Sequence, residues 1–182
     1  MSWALKAGEG IDLREDSDDL LIDESIIRTA AYRRDAELTL AQADTWEDFA
    51  FDATETETHG FTRTGAEIKL DTPGIIAVFS DLQLVYTDGG NPDLVAAARF
   101  VKSTDGGSTF TEAPNLKGIF SSNQGAGIAA TLYVVGNLTT HEGDIFKMQV
   151  QVSDTNFVFR ADSRFDNPTA GELSMNFITR PE

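Results

Sequence analysis

The sequence contains no cysteine. That absence removes disulfides, thiolate metal sites and a cysteine nucleophile together, and leaves packing or assembly to supply stability. Basic residues are scarce as well: 14 Lys and Arg stand against 30 Asp and Glu, giving a net charge of −16 and a pI near 4.3. The sign is wrong for tracking a phosphate backbone, so nucleic acid is excluded as an expected partner. No apolar run approaches the roughly 18 residues of a membrane span, and Met1 to Gly10 has no apolar stretch of signal-peptide length. A soluble chain without a membrane partner or a standard export signal is expected. Histidine is limited to His59 and His141, and neither G-x-S-x-G nor H-E-x-x-H occurs. Both histidines are expected at the surface or at strand ends. The sequence predicts a non-enzyme with no cofactor and no metal.

What the sequence does have is material for one substantial core. Its 182 residues are 41% hydrophobic, which suits a single globular domain with a short appendage. Charge divides the chain unevenly: residues 1–60 hold 16 acids and 5 bases, whereas 61–182 hold 14 and 9. Two short apolar pieces, Ile11 to Leu13 and Leu20 to Ile22, flank Glu15, Asp16, Ser17, Asp18 and Asp19 and read as a small hairpin, marginal alone. Ile26, Ile27, Ala30, Ala31, Leu38 and Ala41 come next, at spacings a helix could use after an Asp23 or Ser25 cap. Residues 1–45 are therefore expected to form an arm that needs a partner surface, and 46–182 the main domain.

From Trp46 onward the dominant period is two. Phe146, Met148, Val150 and Val152 alternate with Lys147, Gln149, Gln151 and Ser153, and similar runs surround Leu82, Leu94, Phe157 and Leu173. Gly and Pro clusters separate them, as at Thr72-Pro73-Gly74 and Asp105-Gly106-Gly107. Many short strands at this spacing predict an all-β antiparallel sandwich or barrel. Some strands are apolar on both faces: Leu132 and Val134 alternate with Tyr133 and Val135, and Val158 and Ile178 sit opposite their strands' core residues. Tyr133, Val135, Val158 and Ile178 are accordingly the expected interface with identical subunits.

Three patterns invite a sharper reading. Ser103-Thr104-Asp105-Gly106-Gly107-Ser108-Thr109-Phe110 matches the Asp-box of sialidase propellers, but once, in a chain too short for blades. A hairpin turn is expected, with Asp105 accepting turn N–H bonds, the glycines at positive φ and Phe110 packing below. Gly125-Ala126-Gly127-Ile128-Ala129-Ala130 fits G-x-G-x-x-A formally, yet residues 131–135 are rich in Thr, Tyr and Val, so a loop entering a strand is expected. Asp16, Asp18, Asp19, Asp23 and Glu24 lack the glycine of a calcium loop and read as a solvated acidic turn.

Residues 46–182 resemble the jelly roll of the tumour-necrosis-factor-like and complement globular-head families. The likeness is carried by an aromatic first strand (Trp46, Phe49, Phe51), by Pro73 to Phe79, by Leu138 to Ile145 leading into an alternating strand, and by the apolar closing strand Leu173 to Ile178. Met175-Asn176-Phe177 stands where those families usually close with Phe-Gly-Phe. The resemblance implies a compact homotrimer used for binding rather than catalysis. The segment Ala7 to Leu13, with Leu21 to Thr29, resembles repetitive β segments of bacteriophage fibre and decoration proteins. Together the two imply a virion structural protein: a homotrimer decorating or cementing a tailed-phage capsid, made in the host cytoplasm. On that expectation the arm binds the major capsid protein through Ile11, Leu13, Leu21, Ile22, Ile26, Ile27 and Tyr32. The alternatives are a receptor-binding fibre tip or carbohydrate-binding adhesion module taking a host surface glycan on its loops, and, further off, a glycan-processing enzyme.

Overall fold

The structure, a computed structural model, describes residues 12–16, 19–23, 28–58, 60–88, 93–123, 127–161 and 169–179, the first two segments as backbone. Every regular element among them is a strand: β1 (Asp12–Asp16), β2 (Asp19–Asp23), β3 (Thr29–Arg34), β4 (Leu38–Thr39), β5 (Glu47–Asp48), β6 (Ala53–Glu57), β7 (Phe61–Thr64), β8 (Glu67–Leu70), β9 (Gly74–Tyr86), β10 (Leu94–Ser103), β11 (Thr111–Ser122), β12 (Ala129–Thr140), β13 (Ile145–Val152), β14 (Phe157–Phe159) and β15 (Gly171–Thr179). One sheet has the order β11-β10-β13-β8-β7, with β5 on β13; the other runs β4-β14-β9-β15-β3-β6, with β12 on the free side of β9. All pairings are antiparallel. The two sheets pack face to face as a jelly-roll sandwich. β1 and β2 form a separate two-stranded sheet, pairing Leu13 with Ile22 and Asp16 with Asp19, as the expected hairpin requires.

Alternation decides which residues fill the sandwich. Phe146, Met148, Val150 and Val152 of β13 are buried, and opposite them β9 sends in Ile76, Val78, Leu82, Leu84 and Tyr86. The end of the core nearest β14 is aromatic: Phe49 meets Phe51 with ring centroids 5.3 Å apart and Phe159 at 5.8 Å, both edge-on. Such rings each bury roughly 150–250 Å² and supply much of the packing energy of a cysteine-free domain.

The N-terminal part departs from expectation. Residues 29–34 and 38–39 are strands rather than a helix, and β3 lies inside the seven-stranded sheet between β15 and β6. The sandwich therefore includes β3 and does not start at Trp46. Ala30 and Tyr32 point inward at a spacing of two, and pairing with a strand from the far end of the chain overrides the helical spacing of the apolar residues. Tyr32 is accordingly no arm residue: it is 1% exposed, and its hydroxyl donates to Glu57 Oε2 at 2.7 Å. Burial, then that bond, pushes its ionisation above the usual tyrosine range.

Candidate functional site

The outward face of the seven-stranded sheet is built by β9, β12 and β15. In β9, Ile75, Ala77, Phe79 and Asp81 alternate with the core residues; in β12, Tyr133, Val135, Asn137 and Thr139 do the same. Register joins them into rows, with Val135 opposite Phe79, Tyr133 opposite Asp81, and Phe79 opposite Ser174 on the other side. The Phe79 and Tyr133 rings meet diagonally at 6.1 Å. Large apolar side chains that a soluble domain would normally cover are bare here: Ile75 is 38% exposed, Phe79 47%, Ile178 53%, Tyr133 55% and Val135 58%. Ile178 sits at a bulge between Phe177 and Thr179, which turns it outward. Val158, expected beside these residues, is covered by its own chain at 7% exposure, between Val85 and Thr39 in the sheet. Its strand is interior to the sheet, which the local alternation of Phe157 and Phe159 could not reveal.

The opposite outer surface, on the six-stranded sheet, is covered at its centre by polar contacts, with Val95 and Ile119 exposed at its β11 edge. The Arg99 guanidinium stacks 4.1 Å over the Trp46 ring and donates to Gln149 Oε1 and Glu112 Oε2. Gln149 in turn donates to Asp48 Oδ1, and Lys147 lies between Asp48 at 3.3 Å and Glu67 at 3.1 Å, 4.3 Å over the Phe110 ring. Partial burial works against the Lys147 charge, but the bonds to Glu67 and Asp48 outweigh it and hold the ammonium above the usual lysine range. These groups satisfy one another. The bare apolar face and the self-paired polar face are therefore on opposite sides of one sandwich.

The Asp105 turn is a hairpin device. Asp105 Oδ1 accepts the Ser108 and Thr109 N–H groups at 3.0 and 2.9 Å, and the Ser103 and Thr109 hydroxyls donate to its two oxygens at 2.6 Å each. The Ser103 and Thr109 bonds hold this carboxyl well below the usual range, so it is a fixed anion that accepts from the turn. Gly106 and Gly107 have φ of 74° and 92°. β12 begins at Ala129, so the glycine pair before it leads into a strand and not into a helix. His141 comes directly after β12, and its amide donates to Asp144 Oδ2 at 2.7 Å, where Lys102 also pairs at 2.6 Å. Leu13, Leu21 and Ile22 lie in the β1–β2 pair, whereas Ile11, Ile26, Ile27, His59, Asp18 and Glu24 lie outside the described residues.

No protein-family model matches this sequence, and no curated protein is significantly similar to it. Solved structures are. Murine APRIL at pH 5.0 is similar at 12% identity and a TM-score of 0.59, covering 84% of this chain and 99% of that one. The globular domain of zebrafish complement 1qA protein is similar at 9% identity and a TM-score of 0.55, over 85% and 99% of the two chains. Eiger TNF from S. frugiperda is similar at 11% and 0.55, over 86% and 95%. This likeness establishes the fold expected from the sequence. At these identities it carries nothing further.

Proposed function

We propose that this protein is a non-enzymatic, self-associating structural or binding module that works as a homotrimer, with the outward face of the seven-stranded sheet at the subunit contact. One observation carries the reading: five large apolar side chains, Ile75, Phe79, Tyr133, Val135 and Ile178, stand bare on a single sheet face, whereas the centre of the opposite face is polar and self-paired and, of the described large apolar side chains, only Val95 and Ile119 at its β11 edge are exposed there. Burying such a patch against like copies stabilises by roughly 25 cal/mol per Å² of apolar surface removed from water. The trimeric use of the jelly roll implied by the resemblance gives the stoichiometry. Three copies carry three times −16, or −48, so the acids face outward or meet basic partners.

The more specific role we propose is decoration of a tailed-phage capsid, the segment before β3 acting as the attachment arm on the major capsid protein. Support comes from the acidic, hairpin-forming N-terminal segment ahead of a jelly roll and from its resemblance to phage fibre and decoration segments. Because β3 belongs to the sandwich, the arm to delete is residues 1–27, leaving Arg28 and its carbonyl bond from the Phe177 amide. The truncated protein is expected to fold and associate as before and to be missing from virions by immunogold labelling; undiminished labelling contradicts the attachment role.

A further inference from the structure

The ladder between β10 and β11 ends at the pair Leu94–Ser122, and there the surface folds into a cleft of about 360 Å³ lined by Asp93, Leu94, Val95, Ser121, Ser122 and Asn123. Its floor is pinned from both sides of the strand. Leu94 is in the core, the Val95 amide donates to Ser153 Oγ at 2.8 Å, and the Val95 carbonyl accepts from the Ser153 amide at 2.8 Å. Val95 is opposite Ser121 and Ile119 is opposite Ala97, which makes the two exposed apolar side chains diagonal neighbours. Ile119 therefore extends the apolar ledge that Val95 begins inside the cleft.

A volume of this order is that of a small-ligand site, and the lining selects the ligand's chemistry. Four of the six side chains are polar, so an apolar peptide or acyl chain laid over them would strip water from groups it could not pair. A pyranose ring suits both halves of the lining: its hydroxyls face two serine hydroxyls, an asparagine amide and a carboxylate, and its C–H face rests on Val95. Charge narrows the choice further. The chain carries −16, and the charged side chain in the lining, Asp93, is an acid, so an anionic sugar is repelled where a neutral one is not. We propose that this cleft binds a neutral hexose, with Asp93 accepting from adjacent sugar hydroxyls and Val95 beneath the ring. The site lies within one chain and adds a ligand to the structural role, so it stands or falls independently of the trimer and the capsid.

The test follows backbone amide NMR signals of the full chain during titration with the methyl glycosides of glucose, galactose and mannose, with glucuronate as the charged comparator, and binding of the same chain to neutral oligosaccharides ending in those sugars. At least one methyl glycoside is expected to shift the amides of Val95, Ser121, Ser122 and Asn123 at millimolar concentration, and glucuronate to shift none. Asp93→Asn is expected to weaken binding about 10-fold, the loss of one charged hydrogen bond, and Val95→Asp to abolish it. Both residues are exposed, so both variants keep the wild-type melting temperature. Phe79→Asp, on the other sheet, is expected to bind the methyl glycoside as wild type does, whatever its effect on association. A chain that also takes the oligosaccharides recognises a glycan end, and one that takes only the methyl glycosides serves a free sugar; the cleft is upheld in both cases. Absence of shifts at these amides with all three glycosides overturns the proposal, as does wild-type affinity in Asp93→Asn and Val95→Asp, and equal binding of glucuronate overturns the preference for a neutral sugar.

Discussion

Gly118 shows how little room a single atom has in this fold. It has an ordinary strand conformation and is glycine because β11 and β12 approach so closely that a Cβ would collide with the backbone of Tyr133. Gly118→Ala must push the two sheets apart at one edge and is expected to destabilise by about 1–3 kcal/mol. At roughly 2–4 °C per kcal/mol for a chain of this size, thermal unfolding resolves that loss. Asp105 yields a pH prediction. Its folded-state ionisation is depressed by the Ser103 and Thr109 hydroxyls, so its contribution is complete above the ordinary carboxylate range near 4 and is lost as the pH falls through the lower folded value. Asp105→Asn is expected to melt below the wild type by a constant margin from pH 7 to 5. That margin shrinks on further acidification. The Thr109 hydroxyl loses its Oδ2 acceptor, and the Ser108 and Thr109 amides, left with a neutral carbonyl in place of a carboxylate, are expected to exchange with solvent faster.

Among the strands, legibility in the sequence tracks periodicity and stops where pairing partners are distant. β13 is plain because its polar and apolar residues alternate without a break, and the Asp105 turn is plain because its side chains bond within the turn. β3 is hidden. Thr29 to Arg34 carries two alanines and two arginines, and its strand state is imposed by β15, more than 130 positions away in sequence, through pairs such as Tyr32 with Leu173. The two-sided strands are readable, but whether a second apolar face ends in solvent or under the same chain depends on the strand's place in the sheet. Tyr133 in β12 is bare, whereas Val158, flanked by β9 and β4, is covered. Phe79 is absent from the expected interface although Ile75 to Phe79 shows the same two-sided signal. At this scale the ladder on the six-stranded sheet is a stability device: Lys147→Ala removes the bridge between β5 and β8. It is expected to lower stability by about 1 kcal/mol, since the pairs are only partly buried, without altering association.

For the molecule as a whole, the difference between its two outer surfaces is the property that a function must use. One carries a network of ion pairs, amide bonds and cation–aromatic contacts at its centre and exposes, of the described large apolar side chains, only Val95 and Ile119 at its β11 edge; the other exposes an aromatic pair and three aliphatic side chains across the middle of a sheet. Phe79→Asp places a charge at the centre of that patch and is expected to abolish self-association while leaving the sandwich folded, because the Phe79 side chain contributes nothing to the interior. Analytical ultracentrifugation of the unmodified full-length chain at micromolar concentration tests the central claim most directly. The account predicts a single species near three times 19.8 kDa that shifts to 19.8 kDa on Phe79→Asp. A wild-type protein that sediments at 19.8 kDa across that range contradicts it.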